Sequence, residues 1–121
     1  MAEIKNKKHG KTLFYIDGNE ILDKKHGKKL FYIDFPKIKE KSKFGNTRFY
    51  IDGDQIKEKT KYGKTRYYIV GNEVKDEKKY GKTRYYIDDD EIKIEKKYGK
   101  VAYYIDGTLT RDQLYALISI I

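Results

Sequence analysis

The chain has 121 residues, 39% of them charged and 38% hydrophobic, with a formal charge of +9 and neither cysteine nor tryptophan. Disulfide staples and thiolate metal sites are therefore excluded, and apolar residues scattered at this density would leave the chain disordered. They are not scattered. An aromatic-Tyr-Ile triplet returns at Phe14-Tyr15-Ile16, Phe31-Tyr32-Ile33, Phe49-Tyr50-Ile51, Tyr67-Tyr68-Ile69, Tyr85-Tyr86-Ile87 and Tyr103-Tyr104-Ile105. The step is 17 residues once and then 18 four times, the signature of a supersecondary unit whose buried face is completed by its neighbours. One domain over residues 1–121 is expected, with six hairpin repeats across 3–109 and a different segment over 110–121.

The opening residues, Met1 to Lys5, contain no apolar run of signal-peptide length, and the longest apolar stretch, at the other end, is too short to cross a bilayer. A soluble cytoplasmic protein is expected, peripheral to a membrane if it meets one, with no transmembrane segment. The first two units are short, turning at His9-Gly10 and His26-Gly27, so a bulge or altered loop must absorb the missing residue. Phe35-Pro36 then stands where other units place a Gly-led turn, and it predicts a distorted or bulged connection.

The fourth unit shows the pattern in full: a charged strand over 55–60, a turn at 61–64, an aromatic strand over 65–69 and a second turn at Val70-Gly71-Asn72. Six such units make about twelve short antiparallel strands, with Gly, Asn and Asp supplying positive φ at the turns. Gly18-Asn19, Gly53-Asp54 and Gly71-Asn72 suit two-residue type II′ turns. They set Ile16 opposite Ile21, Ile51 opposite Ile56, Ile69 opposite Val74 and, through Asp89-Asp90, Ile87 opposite Ile92. Across the other turn the register has two solutions. Pairing about Tyr62-Gly63 sets Ile56 opposite Ile69, whereas a three-residue turn with a left-handed Gly63 sets Glu58 opposite Arg66. The joint replacement of acid and arginine by Ile94 and Ala102 in the last unit supports the second. Keeping every isoleucine on one face supports the first, which is the expectation taken forward.

After Gly107 the period of two stops. Thr110 followed by Gln113 forms a capping box, Asp112 suits a first turn, and a helix is expected over 110–121. Its residues Leu114 to Leu117, Ile118, Ile120 and Ile121 point in every direction on a helical wheel, so it must be buried all round. A single sheet covers one side of a helix; a closed sheet surrounds it. Eight strands fill themselves and sixteen leave a channel, so twelve leave room for one helix roughly 10 Å across. The predicted fold class is mainly β: six hairpins closed into a barrel around a C-terminal apolar α-helix.

Hairpins wound around a terminal apolar helix look like the Tubby C-terminal-like barrel and its repeat-built relatives, the β-flower proteins. The runs Gly10-Lys11-Thr12-Leu13-Phe14-Tyr15-Ile16-Asp17 and Gly99-Lys100-Val101-Ala102-Tyr103-Tyr104-Ile105-Asp106 resemble the β-flower repeat. That resemblance implies a twelve-strand barrel with a plugged centre and, for Tubby-like members, binding to anionic membrane lipid. No binding residue carries over from it. The aromatic pairs followed by Asp-Gly also look like choline- and glycan-binding cell-wall repeats, which are rich in the Trp this chain lacks.

In an up-and-down barrel all turns of one kind share a rim, so one rim should be basic and the other acidic. Lysines crowd the His/Phe/Tyr-Gly turns, each with an aromatic beside its Gly, and the residues singled out are Lys43, Phe44, Lys61, Tyr62, Lys64, Lys79, Tyr80, Lys82, Lys97, Tyr98 and Lys100. Aromatic rings among cations suit an anionic phospholipid interface and equally suit stacking on single-stranded nucleic acid. Hairpin-tip lysines also keep an aromatic-rich barrel soluble, so a ligand-free structural or designed repeat stays open. The Asp88–Glu91 run is a turn sequence without the ligand spacing of a twelve-residue calcium loop, and the two histidines stand at equivalent turns. No nucleophile, metal-protease or phosphate-loop motif is present, so neither catalysis nor a cofactor is expected.

Overall fold

A computed structural model describes residues 1–121. The strands are β1 (Ala2–Lys5), β2 (Thr12–Asp17), β3 (Glu20–Leu22), β4 (Lys29–Asp34), β5 (Lys37–Glu40), β6 (Thr47–Asp52), β7 (Gln55–Glu58), β8 (Thr65–Val70), β9 (Glu73–Asp76), β10 (Thr83–Asp88), β11 (Glu91–Ile94) and β12 (Val101–Gly107), followed by α1 (Arg111–Ile120). Each strand pairs antiparallel with its sequence neighbours, and β1 pairs with β12, so the sheet closes into a barrel. The seam is formed by Ala2 opposite Gly107, Ile4 opposite Ile105 and Lys5 opposite Tyr104, which leaves no free edge.

Alternation along the strands builds the interior in two layers. The first takes one β-branched residue from every strand: Ile4, Ile16, Ile21, Ile33, Ile38, Ile51, Ile56, Ile69, Val74, Ile87, Ile92 and Ile105, all in or packed against one hydrophobic cluster. The second layer, two residues nearer the Gly turns, is Phe14, Phe31, Phe49, Tyr67, Tyr85 and Tyr103. Tyr85 meets both Tyr67 and Tyr103 edge to face at 6.4 Å between centroids, the arrangement ring quadrupoles favour. The middle tyrosines of the triplets, such as Tyr50 and Tyr68, stand on the outer wall opposite Lys57 and Lys75.

The helix fills what the strands enclose. Thr110 is its N-cap and forms the full capping box with Gln113, as the sequence predicts. Ala116, Leu117, Ile118 and Ser119 are wholly buried, and the Ser119 hydroxyl donates to the Ala116 carbonyl, so no polar group is left unpaired there. Its start is fixed to the rim of two-residue turns: Gln113 Nε2 donates to the Gly18 carbonyl at 2.9 Å, and Arg111 reaches Asp54 at 3.7 Å. Ten helical residues rise about 15 Å, comparable to the longer strands of six and seven residues.

The pairs Ile16–Ile21, Ile51–Ile56, Ile69–Val74 and Ile87–Ile92 form as expected. Gly18, Gly53 and Gly71 have φ near +60 (58, 61 and 60) while the residues after them do not, which is the type II′ sign pattern. Asp89 takes the same place with φ 52. At Phe35-Pro36 the peptide bond is cis, the distorted form of the turn, while Asp34 still faces Lys37 and Ile33 faces Ile38, so the ladder itself carries no bulge.

The other turn departs from both expected registers. Ile56 lies opposite Tyr67 and Lys57 opposite Thr65, with Arg66 as the extra residue of a β-bulge. The Glu58 amide then closes on the Lys64 carbonyl, giving a five-residue loop over 59–63. The physical cause is the N–H of Lys59, which adopts φ 65 and donates to the Arg48 carbonyl of the preceding hairpin. Positive φ thus falls on Lys41, Lys59, Glu77 and Glu95 instead of on Gly63. Gly63 is required for a different reason: a Cβ there would overlap the Glu58 carbonyl oxygen. The two short units lose one loop residue, and Asn6 Oδ1 and Asp23 Oδ1 accept the amides of Lys11 and Lys28 across the tighter turn.

Candidate functional site

The Gly-containing turns gather at one end of the barrel, as antiparallel closure requires, but they splay outward against its wall. Three lysines on the outer face hold them there. Lys57 Nζ bridges Asp52 at 3.2 Å and the Lys61 carbonyl at 2.9 Å. Lys93 likewise bridges Asp88 and the Lys97 carbonyl, and Lys39 bridges Asp34 and the Lys43 carbonyl. Each clamp joins an Asp of one turn to the backbone of the other. The hydrogen bond to Lys39 holds the Asp34 carboxyl below its usual value, and Asp88 raises Lys93. Val70 interrupts the series: the fourth hairpin has Lys75 in place but no Asp for it to bridge.

At the tips of these turns Phe44 is 92% exposed, Tyr62 91%, Tyr80 87% and Tyr98 87%. His9 and His26 occupy the equivalent tips of the short units and are exposed as well. The predicted lysines Lys43, Lys61, Lys64, Lys79, Lys82, Lys97 and Lys100 are all exposed. Lys79 and Lys97 lie 5.9 and 6.0 Å from the rings of Tyr80 and Tyr98, within cation–π reach. The structure therefore brings the eleven predicted residues to one belt, yet it corrects the picture of a purely basic rim. Lys64 pairs with Glu77 at 3.6 Å and Lys82 with Glu95 at 4.0 Å, each acid lying on the neighbouring turn of the same kind. Lys43 and Lys79 reach along the wall into depressions that also contain Asp34 and Asp54. Clean separation into a positive and a negative pole fails because the turns fold back instead of extending the barrel axis.

Inside the belt lies the barrel mouth, which sequence reasoning did not single out. The bulge of β6, β8 and β10 places Arg48, Arg66 and Arg84 there, beside Glu40, Glu58 and Asp76. Arg48 binds Glu40 at 3.0 Å and Arg84 binds Asp76 at 3.5 Å, so the acid–arginine pairing seen in sequence survives the change of register. Arg66 makes no such pair. Its guanidinium lies 5.5 Å from the Phe49 ring and 5.0 Å from the Tyr67 ring, and its Nε is buried without a hydrogen-bond partner. Burial raises the Tyr85 phenol at this end, and burial likewise raises Tyr115, whose hydroxyl faces Asp54 at the opposite rim.

No group of His, Asp and Glu is arranged to hold a metal ion, and no helix is long and apolar enough to cross a membrane. In comparisons with known proteins, no family model, no curated protein and no solved structure matches this chain.

Proposed function

We propose that the protein is a non-enzymatic binding module whose belt of aromatic tips and lysines meets an anionic phospholipid surface. The observation that carries this is four rings, each about nine-tenths exposed, presented among cations on a closed barrel. Exposing a large aromatic ring to water forfeits roughly 1.5–3 kcal/mol of burial free energy, so four such rings in equivalent places favour a surface that covers them. A lipid interface does so: the ring enters the headgroup layer while the neighbouring ammonium pairs with phosphate. Lys43, Lys61, Lys79, Lys97 and Lys100 make no ion pair and would supply the cations. The tips stand apart around the belt, without the ring-to-ring contacts of an aromatic cage for choline.

Flotation of the full chain with phosphatidylcholine vesicles, with and without phosphatidylserine, tests the proposal. Binding should require the anionic lipid, weaken as salt rises, and be lost when Phe44, Tyr62, Tyr80 and Tyr98 are all replaced by Ser. Absence of binding at low salt would remove it.

A further inference from the structure

We propose that the depression between Arg48 and Arg66 in the barrel mouth binds a tetrahedral oxyanion, either free phosphate or a phosphate monoester. The argument starts from the difference among three equivalent arginines. Arg48 and Arg84 are neutralised by Glu40 and Asp76, whereas Arg66 pairs with no carboxylate although Glu58 occupies the corresponding place. Arg66 is held instead by two aromatic faces, with its Nε enclosed and unpartnered. A buried polar atom left this way is uncommon in a folded protein and calls for a partner that the fold itself does not supply. Stacking fixes the plane of the guanidinium while leaving its terminal nitrogens as donors, and that planar fork matches two oxygens of a phosphate.

The space beside it, about 470 Å³, is lined by Arg48, Lys59, Lys64 and Arg66 against one carboxylate, Glu58, over the Phe49 ring. After Glu40 and Glu77 are set against Arg48 and Lys64, Arg66 and Lys59 still outweigh Glu58. The aromatic floor lowers the local dielectric, which strengthens a charge-assisted hydrogen bond made above it. Glu58 is the competitor, an exposed carboxylate that an arriving anion must displace or tolerate. The volume exceeds that of the oxyanion alone, so the organic part of a monoester is accommodated. The site lies inside the belt of turn tips and does not depend on their meeting a membrane.

Titration calorimetry of the full chain with inorganic phosphate and with glycerol 3-phosphate tests this, alongside flotation with phosphatidylcholine vesicles containing phosphatidic acid. Saturable binding of both soluble anions is expected. Arg66→Met should weaken it by about tenfold or more, the worth of charge-assisted hydrogen bonds to one guanidinium. Glu58→Gln should tighten it several-fold, and this exposed substitution keeps the test meaningful if Arg66→Met proves unstable. If glycerol 3-phosphate displaces the protein from phosphatidic acid vesicles, the lipid headgroup is one source of the monoester. If the soluble ester binds but does not displace the protein from those vesicles, the belt alone holds the membrane and the source is a free metabolite. Either result upholds the site. No saturable binding of phosphate or its ester, binding indifferent to Arg66→Met, or no tightening in Glu58→Gln overturns it. Flotation of Arg66→Met with phosphatidylserine vesicles should match the unaltered chain, which separates this site from the belt.

Discussion

Replacing Leu117 by Ala removes the side chain at the centre of the enclosed helix. Leu117 is fully buried, and it shares one hydrophobic cluster with the isoleucine ring contributed by the strands. Twelve hydrogen-bonded strands joined in a ring cannot collapse onto the vacated space, so the cavity should persist and the cost should lie in the range of about 2–5 kcal/mol for such truncations. A chain of 121 residues has a total stability of roughly 6–18 kcal/mol. The substitution therefore removes a large share, and the melting temperature should fall by roughly 10–15 °C for a loss near 3 kcal/mol. Urea unfolding followed by circular dichroism and tyrosine fluorescence reads the change; the slope of the transition should stay constant while its midpoint falls. Ile121→Ala, at the half-exposed helix end, is the control and should cost under about 1 kcal/mol. Equal effects of the two substitutions, or a Leu117→Ala loss below about 1 kcal/mol, would refute the enclosure of the helix.

Val70→Asp should let Lys75 make the bridge its counterparts make, stabilising the fold by about 0.2–1 kcal/mol at low salt and less at high salt; denaturant midpoints at two salt concentrations check it, and destabilisation at low salt would count against the clamp. Gly63→Ala should cost more than Gly53→Ala. The first drives a Cβ into the Glu58 carbonyl, while the second meets open space and pays only the backbone strain of φ 61, about 1–3 kcal/mol. The reverse order of urea midpoints would contradict the account of the turns. Burial raises Tyr85 and Tyr115 above the usual 10.0, and carboxylate partners raise Lys5 and Lys93 above 10.5. A raised folded-state value means that the protonated form is preferred on folding, so these contributions are intact below pH 10 and are lost as pH climbs through the raised values. Tyrosinate absorbance should show late-titrating phenols followed by alkaline unfolding; titration of all thirteen tyrosines at the ordinary value would sink the claim.

Much of the architecture is legible in the chain because its signals are local and repeated. The isoleucines and aromatics alternate with a period of two, the Gly-Asn and Gly-Asp turns have one favoured geometry, and Thr110 with Gln113 caps a helix that has nowhere to lie but inside. The second turn is not legible, because its register is set by a long-range bond from the Lys59 amide to the Arg48 carbonyl and by left-handed φ on lysine and glutamate, residues that carry no such preference. The clamp lysines escape for a related reason. Lys57 meets Asp52 and the Lys61 carbonyl only after the turn folds outward, and nothing in the spacing announces that fold. The solitary state of Arg66 is hidden too, since Glu58 is present in sequence just as Glu40 is for Arg48.

The absence of cysteine makes thiol labelling the most direct probe of the closed barrel and its filling. Leu117→Cys and, as the exposed reference, Tyr62→Cys are reacted with a maleimide under native conditions. The Tyr62→Cys thiol should react at the rate of a free thiol, while the Leu117→Cys thiol should react only as fast as the whole molecule opens, with a free energy of opening equal to that of global unfolding. Rapid labelling of Leu117→Cys in the folded protein, at a rate comparable with Tyr62→Cys, would show that the helix lies outside the ring of strands.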